Sequence, residues 1–277
     1  MNAPLADADA VAAPEPTEPA RPAPRAAAAP GFAIQLNRVP LLAPLQWLRL
    51  GWRDFTRAPS IGLFYGACFA AMGWLLLALF EHAPAYVLAL SAGFLLVGPF
   101  LCLGLYDTSR RLERGDRPRL AASLVAWRTR AGTMAIFGAV LLTLEMLWAR
   151  ASLIVFALSF NGMPDFKGSL LALLERDNLG FVVAYVAVGS VFAGLIFAVC
   201  VVAMPMILDR ETDAITAGLT SMRLCVTQPM PMLLWGALIT LLVAAAMAPW
   251  FAGLLLVAPV LGHASWHAYR SVVAGAP

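Results

Sequence analysis

Long apolar runs constrain the fold of this chain more than any other feature of its sequence. A transmembrane helix needs about 20 mostly apolar residues, and residues 61–80, 84–106, 133–160 and 179–208 meet this length. A fifth stretch, 232–262, is too long for one span and has Pro249 near its middle, where proline breaks a helix. Dividing it there predicts six spans: 61–80, 84–106, 133–160, 179–208, 232–248 and 250–268.

The composition favours the same class of protein. Of the 277 residues, 61% are hydrophobic and 13% are charged, whereas soluble domains carry roughly 25% charged residues. Such a chain has too little polar surface to cover a water-soluble body. We therefore predict an all-α, polytopic membrane protein with six transmembrane helices in three hairpins, each hairpin preceded by an interfacial amphipathic helix.

The N-terminal residues 1–37 differ from the rest, because they consist mainly of alanine and proline with scattered charges. They contain no apolar segment behind a basic start, so they do not form a signal peptide. A segment of this composition cannot bury a core. We predict a disordered cytoplasmic tail over 1–37 and a six-helix transmembrane domain over 38–277.

Arginine-rich connections alternate with arginine-poor ones along the predicted spans. The segment before the first span and the connection after the second are the richest in arginine. Basic residues accumulate on the cytoplasmic side of membrane proteins, so both termini are predicted to be cytoplasmic. The arginines lie between apolar runs rather than on a soluble face, so we expect no nucleic-acid partner.

Three segments have the pattern of helices that lie in the membrane plane. In the first, apolar residues recur at spacings of four and three, at Leu41, Leu45, Leu48, Trp52 and Phe55. Polar residues occupy the other side, at Gln46, Arg49, Arg53 and Arg57. Shorter versions occur at Leu120, Leu124 and Trp127, and at Ile215, Leu219, Met222 and Val226. This pattern is typical of interfacial helices and predicts contacts with membrane lipids, including anionic headgroups, at Arg49, Trp52, Arg53, Arg57, Trp127, Arg128 and Arg223.

An internal repeat is a further prediction. The residues Arg53, Pro59 and Gly66 recur at identical spacing as Arg223, Pro229 and Gly236. The second helix of each predicted hairpin also has an internal proline, at Pro99, Pro205 and Pro259. We predict three units, each an amphipathic helix followed by a hairpin. Transporters often place sites at broken helices in such repeats, and tolerated kinks are the alternative explanation for the prolines.

Two charged residues, Glu145 and Arg150, lie near the middle of the predicted third span. A charge there costs about 2.5–3.5 kcal/mol on insertion scales. Residues five apart on a helix project about 140° from each other, so we expect both to face the bundle interior with separate partners. They indicate a polar gate or a site for an anionic or protonatable ligand. The alternatives are a buried clamp between helices, or an Arg150 that reaches the interface.

The two histidines near the end of the chain, His263 and His267, are four residues apart and therefore share one helical face. Two imidazoles at this spacing could hold a metal ion or haem. The alternative is that they are interfacial residues in an aromatic belt beside Trp266 and Tyr269. The sequence contains no nucleophile elbow, phosphate-binding loop or metalloprotease motif, so no catalytic residue is assigned and we expect a protein that is not an enzyme.

Three stretches together resemble one family: 44–66 (PLQWLRLGWRDFTRAPSIGLFYG), 93–115 (GFLLVGPFLCLGLYDTSRRLERG) and 262–270 (GHASWHAYR). The family is an uncharacterised bacterial one of predicted integral membrane proteins, a domain of unknown function, and the resemblance implies an inner-membrane location. Some members carry the label of a cytochrome c oxidase subunit I-like protein. The three histidines of this chain are too few for the haem and copper ligands of such a subunit.

The function predicted from the sequence is that of a non-enzymatic inner-membrane protein, either transporter-like, lipid-interacting or an assembly module. It requires no cofactor. A homo-oligomer or a larger membrane complex is compatible with this prediction. The alternative is a haem- or metal-associated accessory component of a respiratory chain.

Overall fold

The computed structural model describes residues 34–82, 87–159, 178–273 and 275 of the chain. Within them the regular structure is helical, and one isolated bridge pairs Leu36 with Val273. The helices are α1 (Ala43–Arg57), α2 (Pro59–His82), α3 (Val87–Glu113), α4 (Leu120–Leu124), a 3₁₀ helix (Ala126–Arg130), α5 (Ala131–Ser159), α6 (Leu179–Cys200), α7 (Ala203–Asp209), α8 (Ala214–Thr227), α9 (Pro229–Met247) and α10 (Leu254–Val272).

Four helical stretches are long and apolar enough to cross a membrane, as judged by length and composition within the described residues. They are Pro59–Phe80, Leu120–Ser159, Leu179–Asp209 and Pro229–Met247. These stretches contain the predicted first and fourth spans, and all but the last residue of the third and fifth. The predicted second span coincides with α3 from residue 87 onwards, and the sixth with α10. The C-terminal half of α10 carries His263, His267 and Arg270, which lower its mean hydropathy.

Helix α10 packs against α1, α2, α3 and α9, and most of its C-terminal half is buried. It begins at Leu254, four residues after the predicted start of the sixth span. The delay arises because Trp250 and Phe251, which follow Pro249, have left-handed backbone conformations with φ of 46° and 62°. The resulting turn is closed by a hydrogen bond from the Gly253 N–H to the Ala246 carbonyl oxygen, at 3.1 Å.

The predicted fourth span is two helices rather than one. Helix α6 ends at Cys200 and α7 begins at Ala203, because Pro205 has no N–H with which to continue the helical hydrogen bonds. The Ser221 hydroxyl of α8 accepts a hydrogen bond from the Val202 N–H at the break, at 3.4 Å. Nearly all of α7 is buried, so the broken end of this span forms part of the core.

The junctions between α1 and α2 and between α8 and α9 have the same backbone geometry. Ala58 has φ −133° and ψ 56°, and Gln228 has φ −134° and ψ 61°. Each N–H bonds to the carbonyl oxygen four residues earlier, that of Asp54 at 3.1 Å and that of Leu224 at 2.9 Å. A proline begins the next helix in both cases.

The predicted interfacial segments fold in three ways. Helix α1 is continuous, and it buries one face while leaving much of its predicted apolar stripe exposed. The segment that contains Leu124 and Trp127 is divided between α4 and the 3₁₀ helix. Helix α8 packs its small residues inward and exposes its whole predicted apolar stripe, which consists of Ile215, Leu219, Met222 and Val226.

Residues 34–39 lie against the ends of α8 and α10. The Asn37 N–H donates to the Val272 carbonyl oxygen at 2.7 Å, and the Val39 N–H donates to Gln228 Oε1 at 2.9 Å. The carbonyl oxygen of Ile34 accepts from Arg223 Nη1 at 3.2 Å. The predicted disordered tail is therefore wrong for residues 34–37, since their backbone groups have partners. The rest of the predicted tail, residues 1–33, lies outside the described residues.

Helix α1 crosses α10 at Gly51. A Cβ at this position would lie 2.5 Å from the carbonyl oxygen of Val260 and 2.7 Å from the backbone nitrogen of Ala264. Both atoms belong to the backbone of α10 and cannot rotate away. Only glycine therefore allows the two helices to approach this closely.

We predict that Gly51→Ala lowers the thermal stability of the detergent-purified protein, because the added methyl group forces α1 away from α10. Overpacking of this kind typically costs about 1–3 kcal/mol. The measurement is the unfolding temperature, and Gly132→Ala is the matched control because a Cβ at Gly132 meets nothing within 4 Å. Equal unfolding temperatures for the two variants would contradict the close crossing.

Candidate functional site

Four buried polar side chains from α1, α3 and α10 form a network that we call the histidine network: Asp54, Ser109, His263 and His267. Their exposed fractions are 2%, 0%, 0% and 9%. His267 Nε2 lies 2.7 Å from Asp54 Oδ2, and Ser109 Oγ lies 2.8 Å from His263 Nδ1. An ionised carboxylate can only accept, so His267 Nε2 carries the hydrogen in the first of these bonds.

The local sequence brings these groups together. His263 and His267 are one helical turn apart and share the buried face of α10. Gly262 packs directly against the side chain of Leu105 on α3. This contact lets α3 approach α10, so that Ser109, one turn beyond Leu105, reaches His263. On the other side, Gly51 lets α1 approach α10 and places Asp54 at His267.

The charge on Asp54 is favoured despite its burial. Burial alone raises the pKa of a carboxyl group. At Asp54 the hydrogen bond and charge of His267, together with the Ser109 hydroxyl and the charge of His263, outweigh burial and hold the pKa below its usual value of 3.8. The network therefore contains a buried carboxylate that its neighbours stabilise through hydrogen bonds.

A second polar group, which we call the arginine cluster, lies at the C-terminal ends of α3, α7 and α10. Asp107 is buried and accepts hydrogen bonds from Arg110 and from Arg111 Nε, the latter at 2.7 Å. Arg110 Nη1 also donates to the carbonyl oxygen of Leu208 at 3.1 Å. These contacts join the end of α3 to the end of α7.

The remaining contacts of the arginine cluster involve Asp209 and Glu113. The Tyr269 hydroxyl donates to Asp209 Oδ2 at 2.9 Å. Glu113 accepts from Trp266 Nε1 at 3.0 Å and from Arg270 Nε at 3.1 Å. Every one of these bonds joins α10 to α3 or α7. The arginine cluster therefore joins the C-terminal ends of α3, α7 and α10.

The structure separates Glu145 and Arg150. Glu145 is 5% exposed and faces the interior of the protein, where its Oε2 has no hydrogen-bond partner among the described residues. Arg150 lies on the exposed side of α5. The prediction that both face the interior is therefore wrong for Arg150, because five residues on a helix turn the second side chain away from the first. The two residues do not form one site.

His263 and His267 lie inside the protein, so their placement in an exposed aromatic belt is wrong. The neighbouring Trp266 and Tyr269 are buried as well. The physical reason is that α1, α2, α3 and α9 surround α10. In the part of the chain that the structure describes, no group of three or more His, Cys, Asp or Glu side chains converges as metal ligands would. The pair contacts Ser109 and Asp54 instead.

The predicted lipid-contact residues lie at the surface, with one exception. Arg49, Trp52, Arg53 and Arg57 are exposed on α1. Trp127 and Arg128 are also exposed, and the Arg128 guanidinium lies 5.9 Å from the centroid of the Trp127 ring. Arg223 is the exception, since it is partly buried and donates to the backbone of residue 34.

Several residues of the two polar groups did not emerge from the sequence, among them Asp54, Ser109 and Asp209. Asp54 lies between Arg53 and Arg57 and there resembles part of a solvated face. A signal was nevertheless present, since Trp47, Gly51 and Asp54 recur at spacings of four and three on the face that the structure buries. Small and apolar residues on that face indicate a helix contact rather than water.

Comparison with known proteins supports the membrane class. Residues 87–209 match the sequence model of a family described as a predicted integral membrane protein (DUF2189). The match runs from the start of α3 to the end of α7 and confirms the resemblance to an uncharacterised family of membrane proteins. No curated protein and no solved structure matches the chain. The protein is an integral, multi-pass membrane protein.

We predict that Asp54→Asn lowers the unfolding free energy at neutral pH by about 1.5–3 kcal/mol, the usual contribution of a buried hydrogen bond to a charged group. The pKa of Asp54 is lower in the folded protein than its unfolded value of about 3.8. The ionised carboxylate therefore stabilises the wild type fully above pH 3.8, and this stabilisation is lost as the pH falls through the pKa of the folded state. Thermal unfolding of both proteins from pH 7 to pH 3 measures this.

The matched control for this experiment is Glu211→Gln. Glu211 forms an ion pair with Arg130 at 3.3 Å, but its side chain is 87% exposed. Such a pair contributes little to stability, so the control should unfold like the wild type. A gap between wild type and Asp54→Asn that stays constant down to pH 3 would argue against an ionised Asp54 in the network.

Proposed function

We propose that the protein is a bacterial inner-membrane protein that binds anionic lipid at its cytoplasmic surface and acts without covalent chemistry. The observation that carries this proposal is the exposed surface of α1. Leu45 and Trp52 are about half exposed on one side of this helix. The arginines are exposed on the adjacent side of the same helix, at Arg49, Arg53 and Arg57. A helix with these two faces binds at the boundary between headgroups and acyl chains.

The topology in this proposal has six spans in three hairpins, with both termini in the cytoplasm. It adds α3 and α10 to the four stretches that are apolar enough to span by composition alone. Three hairpins place the C-terminal ends of their second helices on one side of the membrane. In agreement with this, the ends of α3, α7 and α10 meet in the arginine cluster. Excess arginine on that side favours a cytoplasmic orientation.

The three hairpins also constitute our proposed repeat. Its strongest support is the matching geometry of Ala58 and Gln228, which differ by 1° in φ and 5° in ψ. Both residues end an amphipathic helix just before the proline that begins the next helix. The middle unit follows the same order in α4, the 3₁₀ helix, α5, α6 and α7, although its amphipathic segment is shorter.

The alternatives from the sequence have less support. A haem- or metal-associated component depends on His263 and His267, whose rings already contact Ser109 and Asp54. A transporter-like role depends on Glu145, a buried carboxyl group whose Oε2 has no hydrogen-bond partner among the described residues. The lipid-binding proposal instead draws on exposed apolar faces that recur in α1, the 3₁₀ helix and α8. Our proposal therefore includes no cofactor and names lipid as the partner.

We predict that a reporter fused after His82 lies in the periplasm, whereas reporters fused after Glu113 and after Val273 lie in the cytoplasm. The reason is the hairpin order, in which α2 leaves the cytoplasmic side and α3 and α10 return to it. Alkaline phosphatase is active only in the periplasm and green fluorescent protein serves as the cytoplasmic counterpart. A C-terminal fusion that is active as a phosphatase would refute the six-span topology.

We predict that Arg49→Gln combined with Arg57→Gln weakens the binding of phosphatidylglycerol by roughly 30-fold, since a basic residue at an anionic surface contributes about 1 kcal/mol. Native mass spectrometry of protein equilibrated with equal amounts of phosphatidylglycerol and phosphatidylcholine measures the change. Arg49→Lys with Arg57→Lys is the control, because it retains both charges. Retention of phosphatidylglycerol that is equal in all three proteins would refute the role of α1.

A further inference from the structure

A groove with a volume of about 360 Å³ opens between α3, the 3₁₀ helix and α5. The described side chains that line it are all apolar: Phe100, Trp127, Ala131, Met134 and Ala135. Its volume lies near the lower end of the range for pockets that hold small molecules. Among the described residues of the lining, the one side-chain donor is the indole N–H of Trp127, which donates to the Leu124 carbonyl oxygen at 3.1 Å.

The walls of the groove differ in their exposure. Met134 is 2% exposed and forms part of its base, whereas Trp127 is 47% exposed at its edge. The ring of Phe100 on α3 reaches α5, where its Cζ lies 3.0 Å from the position of a Cβ on Gly138. The groove thus runs from the buried side chain of Met134 to the exposed indole of Trp127.

Two arginines, Arg128 and Arg130, lie near Trp127 in the same 3₁₀ helix. Arg128 directly follows Trp127, is exposed and lies over its ring. Arg130 is partly buried, and Nη2 of its guanidinium contacts Glu211 at 3.3 Å. Because the Glu211 side chain is 87% exposed, this contact is weakly held and can give way to a stronger acceptor. Guanidinium groups bind phosphate through paired hydrogen bonds.

We propose that the groove is a binding site for one anionic phospholipid, with an acyl chain against Phe100 and Met134 and the phosphate at Arg128 and Arg130. This inference rests on the lipid-binding function proposed above and gives it a defined site. The apolar lining selects a hydrocarbon chain, and the two arginines select a negative headgroup. Trp127 stands between them, as tryptophan does at membrane interfaces. The 3₁₀ helix leads directly into α5, which places the opening at headgroup level.

The test uses the full-length protein, purified in detergent and equilibrated with palmitoyl-oleoyl phosphatidylglycerol and the corresponding phosphatidylcholine in equal amounts. Native mass spectrometry then follows lipid loss as the collision energy rises. The wild type should retain one phosphatidylglycerol after all other lipids have dissociated. Ala135→Phe fills the groove and should reduce this retained species at least tenfold. Ala131→Leu, a smaller change in the same wall, should reduce it less.

Two control variants separate the site from general lipid binding. Ala245→Phe makes the same change on the exposed side of α9, away from the groove, and should leave the retained lipid unchanged. Arg128→Gln with Arg130→Gln should keep one lipid bound but abolish the preference for phosphatidylglycerol. That outcome assigns the apolar contact to the groove and the headgroup preference to the arginines.

Other outcomes overturn the proposal. If the wild type, Ala135→Phe and Ala131→Leu retain the lipid equally, the groove holds no lipid. If inorganic phosphate alone displaces the retained lipid, the acyl chain contributes nothing to binding. A dimer lost in Ala135→Phe shows that a second copy fills the groove. The α1 variants distinguish the two lipid proposals. If Ala135→Phe loses the retained lipid while Arg49→Gln with Arg57→Gln keeps it, the groove site is supported even though the proposed role of α1 is not.

Discussion

The hydrogen bond between Asp54 and His267 joins a surface helix to the last helix of the bundle, and together with the contact between Ser109 and His263 it determines how α1 and α3 pack on α10. A buried carboxylate requires a close partner, and the partner here is available only because Gly51 lets α1 lie directly on α10. Fixing α1 in this way turns its arginines and its exposed apolar residues outward together. On the same face of α10, His263 contacts Ser109 of α3. This contact fixes α3 beside α1.

Hydrophobic length and proline positions predicted the helices well, because the membrane requires long apolar segments whatever their neighbours are. The ends of α2, α5 and α9 lie within a few residues of the predicted spans. The break before Ala203 was not predicted, although Pro205 was noted. A proline within a span can either kink or interrupt it, and here the interruption is stabilised by Ser221 from a distant helix, which sequence periodicity does not show.

The candidate sites were predictable only where one helix determines them. The exposed arginines of α1 follow from its own periodicity, and so does the separation of Glu145 from Arg150. The histidine network requires side chains from three helices, and no local pattern connects Asp54 with residues more than 200 positions later. The pairing of His263 and His267 on one face was visible, but whether that face is lipid-exposed or buried depends on the packing of α1 and α3 around it.

The contact between α1 and α10 has a consequence for biosynthesis. Asp54 and His267 are 213 positions apart, and at about 5–20 residues per second the ribosome needs roughly 10–40 s to make the intervening chain. During that time the first hairpins are already synthesised, while α1 has no helix to cover its buried face. Residues 34–39 share this delay, since they bind the ends of α8 and α10. The earliest part of the domain to leave the ribosome is therefore among the last to reach its final place.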